Sequence, residues 1–152
     1  MIRVRKEGRP KVGLERIDVY SDGAARGNPG PAAIAYSIYD DKGSLIESDA
    51  RYIGEATNNE AEYEALLLAV DRACSLCKDI AHFFLDSQLV VRQIEGNYRA
   101  RDERMRKYLE EVLSKLSCFR SVRVSHVPRE NERTRLVDKL VNETLDRAGF
   151  RR

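Results

Sequence analysis

Residues 80–85, Ile-Ala-His-Phe-Phe-Leu, form a nearly all-apolar run of six between two polar segments with helical periodicity. Such a run reads as a strand buried on both faces, which requires helices above and below a sheet. The rest of the chain has to supply that cover. Upstream, residues 16–21 alternate and are rich in strand formers, and residues 32–39 make a second strand. A turn-rich stretch over 23–31 separates them. Lys42-Gly43 then marks a tight hairpin into a third strand over 45–53. Helical spacing follows over 59–77, with Thr57 or Asn58 as N-cap and glutamates in the first turn. Beyond the apolar run, 87–95 reads as a short helix ending at Gly96, and 102–116 as a longer one. Residues 121–127 give a fifth strand stopped by Pro128, and 133–148 a last helix ending at Gly149. Three strands followed by helix–strand alternation predict an α/β fold. Its core is a mixed five-stranded sheet, an antiparallel meander with parallel additions, flanked by helices.

A chain of 152 residues favours one domain, placed here over residues 14–152. Residues 1–13 carry Arg3, Arg5, Lys6, Arg9 and Lys11 among glycine and proline and read as a basic, irregular arm. The whole chain has 27 Lys+Arg against 25 Asp+Glu, so any basic surface must come from local clustering. One such cluster is Arg99, Arg101, Arg104, Arg106 and Lys107, which reads equally as a solvated face or as a contact to a nucleic-acid backbone. Tyr98 beside it suits stacking on a sugar or capping the helix. The longest apolar run, residues 65–70, is far below the roughly 20 residues a membrane span needs. The first residues lack the apolar core of a secretory signal. Three cysteines, an odd and low count, predict reduced thiols in a cytoplasmic protein. Cys74 and Cys77 form a C-x-x-C in the last turn of a helix, where core packing is the plainer reading than zinc or redox chemistry.

Among 25 acidic residues, the informative ones stand where acids are normally avoided. Asp22 ends the first strand before Gly23, and Asp86 ends the apolar strand. Carboxyl ends of strands are where ligand sites of open α/β sheets lie. Each can also be a plain turn or capping residue. On the helix over 59–77, Glu62 shares a face with Ala65, Leu66, Ala69 and Ala73, whereas Glu60 and Glu64 share one with Asp71 and Arg72. Glu62 therefore points inward, and Glu60 and Glu64 outward. A buried carboxylate is costly unless paired or metal-bound, so Glu62 either meets a cation or snorkels at the helix end. Asp138 sits at the border of the last helix's apolar stripe and by itself reads as solvated. Several carboxylates meeting in one cleft need cations, and oxygen-only ligands favour Mg²⁺ or Mn²⁺. That chemistry points to phosphodiester hydrolysis by two ions.

Ser21-Asp22-Gly23, Gly27-Asn28-Pro29-Gly30, Thr57-Asn58-Asn59-Glu60-Ala61-Glu62 and Asp86-Ser87-Gln88 together resemble type 1 ribonuclease H, in its compact archaeal and bacterial form. The resemblance spans residues 17–145. It implies an endonuclease that cuts the RNA strand of RNA–DNA hybrids with Mg²⁺ or Mn²⁺, leaving 5′-phosphate and 3′-hydroxyl ends. It implies that Asp22, Glu62, Asp86 and Asp138 hold the metal ions and carry catalysis. By the same mapping, Gly23, Asn28, Asn58, Asn59 and Gln88 line the hybrid groove, where small polar groups can read 2′-hydroxyls. The expected partners are an RNA–DNA hybrid and, as an open question, double-stranded RNA, with a monomeric protein and no membrane.

Two departures from the family pattern stand out. The stretch from His126 to Asp138 is two or three residues longer, and strict spacing from Asn131 puts Arg135 where the acid belongs. Arginine cannot bind a cation, so Asp138 is assigned and the start of the helix is expected to absorb the extra residues. His126 matches a mobile histidine that assists product release in some members, or serves structure alone. If the longer segment misplaces Asp138, the chain is a weak or inactive hybrid-binding module. A DNA-cutting resolvase or integrase shares the sheet but lacks the Asn58-Asn59 pair and the Gly27–Gly30 loop.

Overall fold

A computed structural model describes residues 14–96, 99–100 and 102–150. The N-terminal arm over 1–13, Tyr98 and Arg101 lie outside the described residues. The elements run β1 (Arg16–Ala25), β2 (Gly30–Tyr39), β3 (Leu45–Ala56), α1 (Asn58–Leu76), β4 (Ile80–Leu85), α2 (Gln88–Ile94), α3 (Glu103–Leu116), β5 (Ser121–His126) and α4 (Glu132–Arg147). The sheet order is β3-β2-β1-β4-β5, with β1, β2 and β3 antiparallel and β4 and β5 added in parallel. This is the expected mixed five-stranded sheet.

Alternation along the strands divides the core between the two faces. Ile17, Val19, Phe83 and Leu85 pack against Leu66 and Val70 of α1, Val90 of α2 and Val112 of α3. On the opposite face Tyr20, Ala33, Ala35 and Tyr39 pack against Val137, Val141 and Leu145 of α4. The hairpin between β2 and β3 closes where expected. Gly43 adopts φ +84°, and the Asp40 carboxylate accepts the Lys42 and Ser44 amides at 2.9 Å.

α1 and α3 lie side by side in one register. Tyr108 donates its hydroxyl to Glu64 at 2.7 Å, Lys115 bonds Asp71 at 2.9 Å, and Arg104 pairs with Glu60. Every one of these partners is 44 residues from its mate, an offset that only parallel helices can keep. The same offset joins Cys74 to Cys118 in a disulfide with Cα atoms 6.3 Å apart. The expectation of reduced thiols, and of Cys74 as plain core packing, is corrected here. The parallel register delivers Cys118, far away in sequence, to the end of α1. Cys77 remains a free, buried thiol.

Two strand ends also differ from expectation. β1 continues past Ser21 to Ala25, because its antiparallel pairing with β2 persists from Asp22↔Ala35 to Ala25↔Ala32. Its parallel pairing with β4 stops at Ser21↔Leu85. Asp22 is thus inside a strand but just beyond the end of its neighbour. β4 is less enclosed than an all-apolar run implies, since Ile80, His82 and Phe84 are half-buried.

Candidate active site

The parallel ladder ends at Leu85, and a notch opens at that point of the sheet. Three acids enter it from separate elements. Asp22 comes from β1, where it is 4% exposed. Asp86 follows the last residue of β4, with its side chain 6% exposed. Glu62 descends from the first turns of α1. Each offers a carboxylate oxygen, and these oxygens lie within 4.8 Å of one another.

Local chemistry explains the convergence. Thr57 caps α1 by accepting the Glu60 amide at 3.1 Å, and the Glu60 carboxylate accepts the Thr57 amide at 2.8 Å. That cap fixes where the helix begins and hence where Glu62 falls. Gly23 lets α1 approach, because a Cβ there would stand 2.1 Å from the Ala61 carbonyl oxygen. The approach allows the Gly23 amide to donate to Glu62 Oε1 at 3.3 Å. At the other wall Ser87 caps α2 through the Val90 amide at 3.3 Å, which leaves the Asp86 carboxylate available to the notch.

Charge in the notch is unbalanced. Burial, then the charges of Asp86 and Asp138, hold the Asp22 carboxyl well above the ordinary carboxylate range. Burial, then Asp22 and Asp86, do the same to Glu62. The compensating cation is Arg129, 3.3 Å from Asp86, whose guanidinium that carboxylate holds more firmly protonated. Among the described residues, one guanidinium against three clustered carboxylates leaves a site of hard oxygen donors that suits divalent cations. Asp138 is half-buried on α4 and outside the tight cluster, yet its charge reaches Asp22. Arg135 is exposed. α4 begins at Glu132 behind the Asn131 cap, well before Asp138. The first turn of α4 is anchored by Arg133, whose guanidinium lies 3.9 Å over the Tyr39 ring.

The remaining sequence-assigned residues divide into two groups. Asn28 and Asn58 interlock: Asn28 Oδ1 accepts the Asn58 amide and Asn58 Oδ1 accepts the Ala25 amide, both at 2.9 Å. Asn59 is exposed on the same turn. Gln88 and His126 instead line a cavity of about 250 Å³ with Val91, Arg92, Glu95 and Ser125. Asp22, Glu62 and Asp86 do not line that cavity. Sequence reasoning missed two features. Arg129 lies three residues past the carboxyl end of β5, the end of the sheet where sites form, and that position was its signal. Glu60, expected to face water, is 8% exposed and paired with Arg104. Helical spacing places it on the polar side of α1, but α3 covers that side.

The family described as Reverse transcriptase-like matches residues 20–144. Ribonuclease HI of Halobacterium salinarum is 40% identical over 134 residues, which are 88% of this chain and 66% of that protein. The bifunctional protein Rv2228c of Mycobacterium tuberculosis is 33% identical over 135 residues, 88% of this chain and 36% of that protein. The chain thus spans 66% and 36% of these relatives' lengths. Among solved structures, RNase H1 of Halobacterium salinarum superposes with a TM-score of 0.82 at 37% identity, covering 87% of this chain and 98% of that one. LC11-RNase H1 in complex with an RNA/DNA hybrid gives a TM-score of 0.79 at 36% identity, again covering 87% and 98%. Sheet order, the acidic notch at the end of the parallel ladder and these likenesses agree: the chain belongs to the ribonuclease H family.

Proposed function

We propose that the protein is a metal-dependent endonuclease that hydrolyses the RNA strand of RNA–DNA hybrids, leaving 5′-phosphate and 3′-hydroxyl ends. The observation that carries this reading is that carboxylate oxygens of buried Asp22 and half-buried Glu62 and Asp86 lie within 4.8 Å of one another, with Arg129 as a counter-charge. Asp22, Glu62 and Asp86 would hold divalent ions, with Asp138 completing the set from α4. Two Mg²⁺ or Mn²⁺ ions, when bound, supply an activated water and neutralise charge at the leaving 3′-oxygen. Asp22, which meets the charges of both Asp86 and Asp138, would serve as a ligand alongside each of them. Glu62 is oriented by the Gly23 amide, and Asp86 is screened by Arg129. Gly23, Asn28, Asn58, Asn59 and Gln88 line the groove that receives the hybrid, offering backbone and small amides to 2′-hydroxyls. His126, in the neighbouring cavity, is assigned an auxiliary part in releasing product.

The protein is taken to act as a cytoplasmic monomer. Among the described residues no helix is long and apolar enough to cross a membrane. An inactive binding module is disfavoured because Asp22, Glu62 and Asp86 bring their carboxylate oxygens within 4.8 Å of one another, the arrangement that divalent ions need. A labelled hybrid incubated with Mg²⁺, with Mn²⁺ or with chelator tests the reading, and a double-stranded RNA lane settles the breadth of substrate. Metal-dependent cuts confined to the RNA strand are expected. Asp22→Asn should lower the rate by more than the roughly 10–100-fold that losing an outer-shell partner of a metal costs. Hybrid binding without cutting under every metal condition would establish the binding module instead.

A further inference from the structure

Glu60 sits on the turn of α1 that carries Asn58, Asn59 and Glu62, and it is buried. One of its oxygens accepts the Thr57 amide, and the other pairs with the Arg104 guanidinium from α3. Asn58, one residue from Thr57, accepts the Ala25 amide at the end of β1 and donates its own amide to Asn28 in the β1–β2 connection. A continuous series of polar contacts therefore runs from α3 through Glu60 and the helix cap to that connection. A buried carboxylate of this kind is tolerated only while its partners remain. Glu62, two residues on, has a separate tether in the Gly23 amide.

We propose that Glu60 and Arg104 are positioning residues: the pair holds the Asn58–Asn59 turn against Asn28 and so sets affinity for the hybrid without touching the reacting atoms. This rests on the hybrid-cleaving reading above. Because Glu62 is tethered independently, loss of the pair acts on binding rather than on the chemical step. The Arg104 side chain is 71% exposed, so the rival role is a direct grip on a backbone phosphate.

Steady-state cleavage of a labelled hybrid by wild type, Glu60→Ala, Arg104→Ala, Arg104→Lys and the double Ala variant separates these roles. The pair predicts KM raised about five- to tenfold in either single Ala variant, the loss expected of a broken helix cap, with kcat within about twofold. Arg104→Lys should retain most of the affinity, and the double variant should be no worse than Glu60→Ala. The salt dependence of hybrid binding should not change. A salt slope shallower by about one unit in Arg104→Ala, with Glu60→Ala binding normally, would make Arg104 a phosphate contact and overturn the proposal. A fall in kcat at constant KM, or additive losses, would also overturn it. Amide exchange at Asn58 and Ala25 gives a readout independent of substrate. Faster exchange in Arg104→Ala at equal global stability is expected, and unchanged exchange refutes the pair. A wild-type protein that leaves hybrids uncut would count against the functional reading, and exchange alone would then decide the positioning claim. Arg104 is exposed, so its variants fold even if Glu60→Ala does not.

Discussion

Gly23 shows how much one residue decides in this site. Its missing side chain lets the Ala61 carbonyl pass at a distance no Cβ could share, 2.1 Å from where that atom would be. The same closeness lets its amide reach Glu62. Gly23→Ala should therefore drive α1 away from β1 and detach Glu62 from its tether. Overpacking of this kind typically costs about 1–3 kcal/mol. Cleavage of the hybrid should fall more steeply than stability, and urea melts beside a cleavage assay measure both. Glu62 was readable as inward-facing because a helix repeats every 3.6 residues and its neighbours at that spacing are alanine and leucine. Glu60 was not. Its burial comes from α3, and the spacing within α1 carries no information about which helix lies alongside.

At the scale of elements, the parallel pair α1 and α3 supports the wall of the notch. Three polar contacts and one disulfide keep the two helices in register. The disulfide spans 44 residues of chain, and in the chain-entropy view a loop of that size stabilises by about 2–4 kcal/mol. Reducing it, or replacing Cys118 by Ser, should lower the melting temperature by roughly 5–15 °C. Alkylation of the unfolded, unreduced protein should modify one of the three cysteines, against all three after reduction. Modification of three without reduction would show that the bridge does not form in solution. The end of α4 facing the site shows a different limit on sequence reading. Motif spacing from Asn131 offered Arg135, which is exposed, whereas Asp138, one helical turn further on, is the acid whose charge reaches Asp22.

The whole molecule must tolerate a cluster of like charges, and its stability should report that. Asp22 and Glu62 bind protons more tightly in the folded state than an exposed carboxyl does, whose value lies near about 4. Below that value both states are protonated, and the contribution of these groups to stability is fully present. As pH rises through their elevated folded-state values, the folded protein must release protons into a repulsive site, and that contribution is lost. Metal-free protein should therefore lose stability from mildly acidic toward alkaline pH. Asp22→Asn should be more stable than wild type at neutral pH without metal. Mg²⁺ should raise the wild-type melting temperature by mass action and leave that of Asp22→Asn nearly unmoved. Equal melting temperatures of the two proteins with and without Mg²⁺ would deny the acids a shared ion.

The order of strands and helices followed from the amino acids alone, because periods of two and 3.6 are properties of neighbouring residues. So did the inward aim of Glu62 and the placing of Asp22 and Asp86 near the carboxyl ends of two strands, whose adjacency only the sheet order supplied. What required the folded chain was everything that depends on segments distant in sequence lying against one another. The run of β1 beyond β4, the cover over Glu60, the bridge between Cys74 and Cys118, Arg129 beside Asp86 and the approach of Asp138 to Asp22 all belong to this class. Local patterning says which face of an element turns inward, and only packing decides what that face meets.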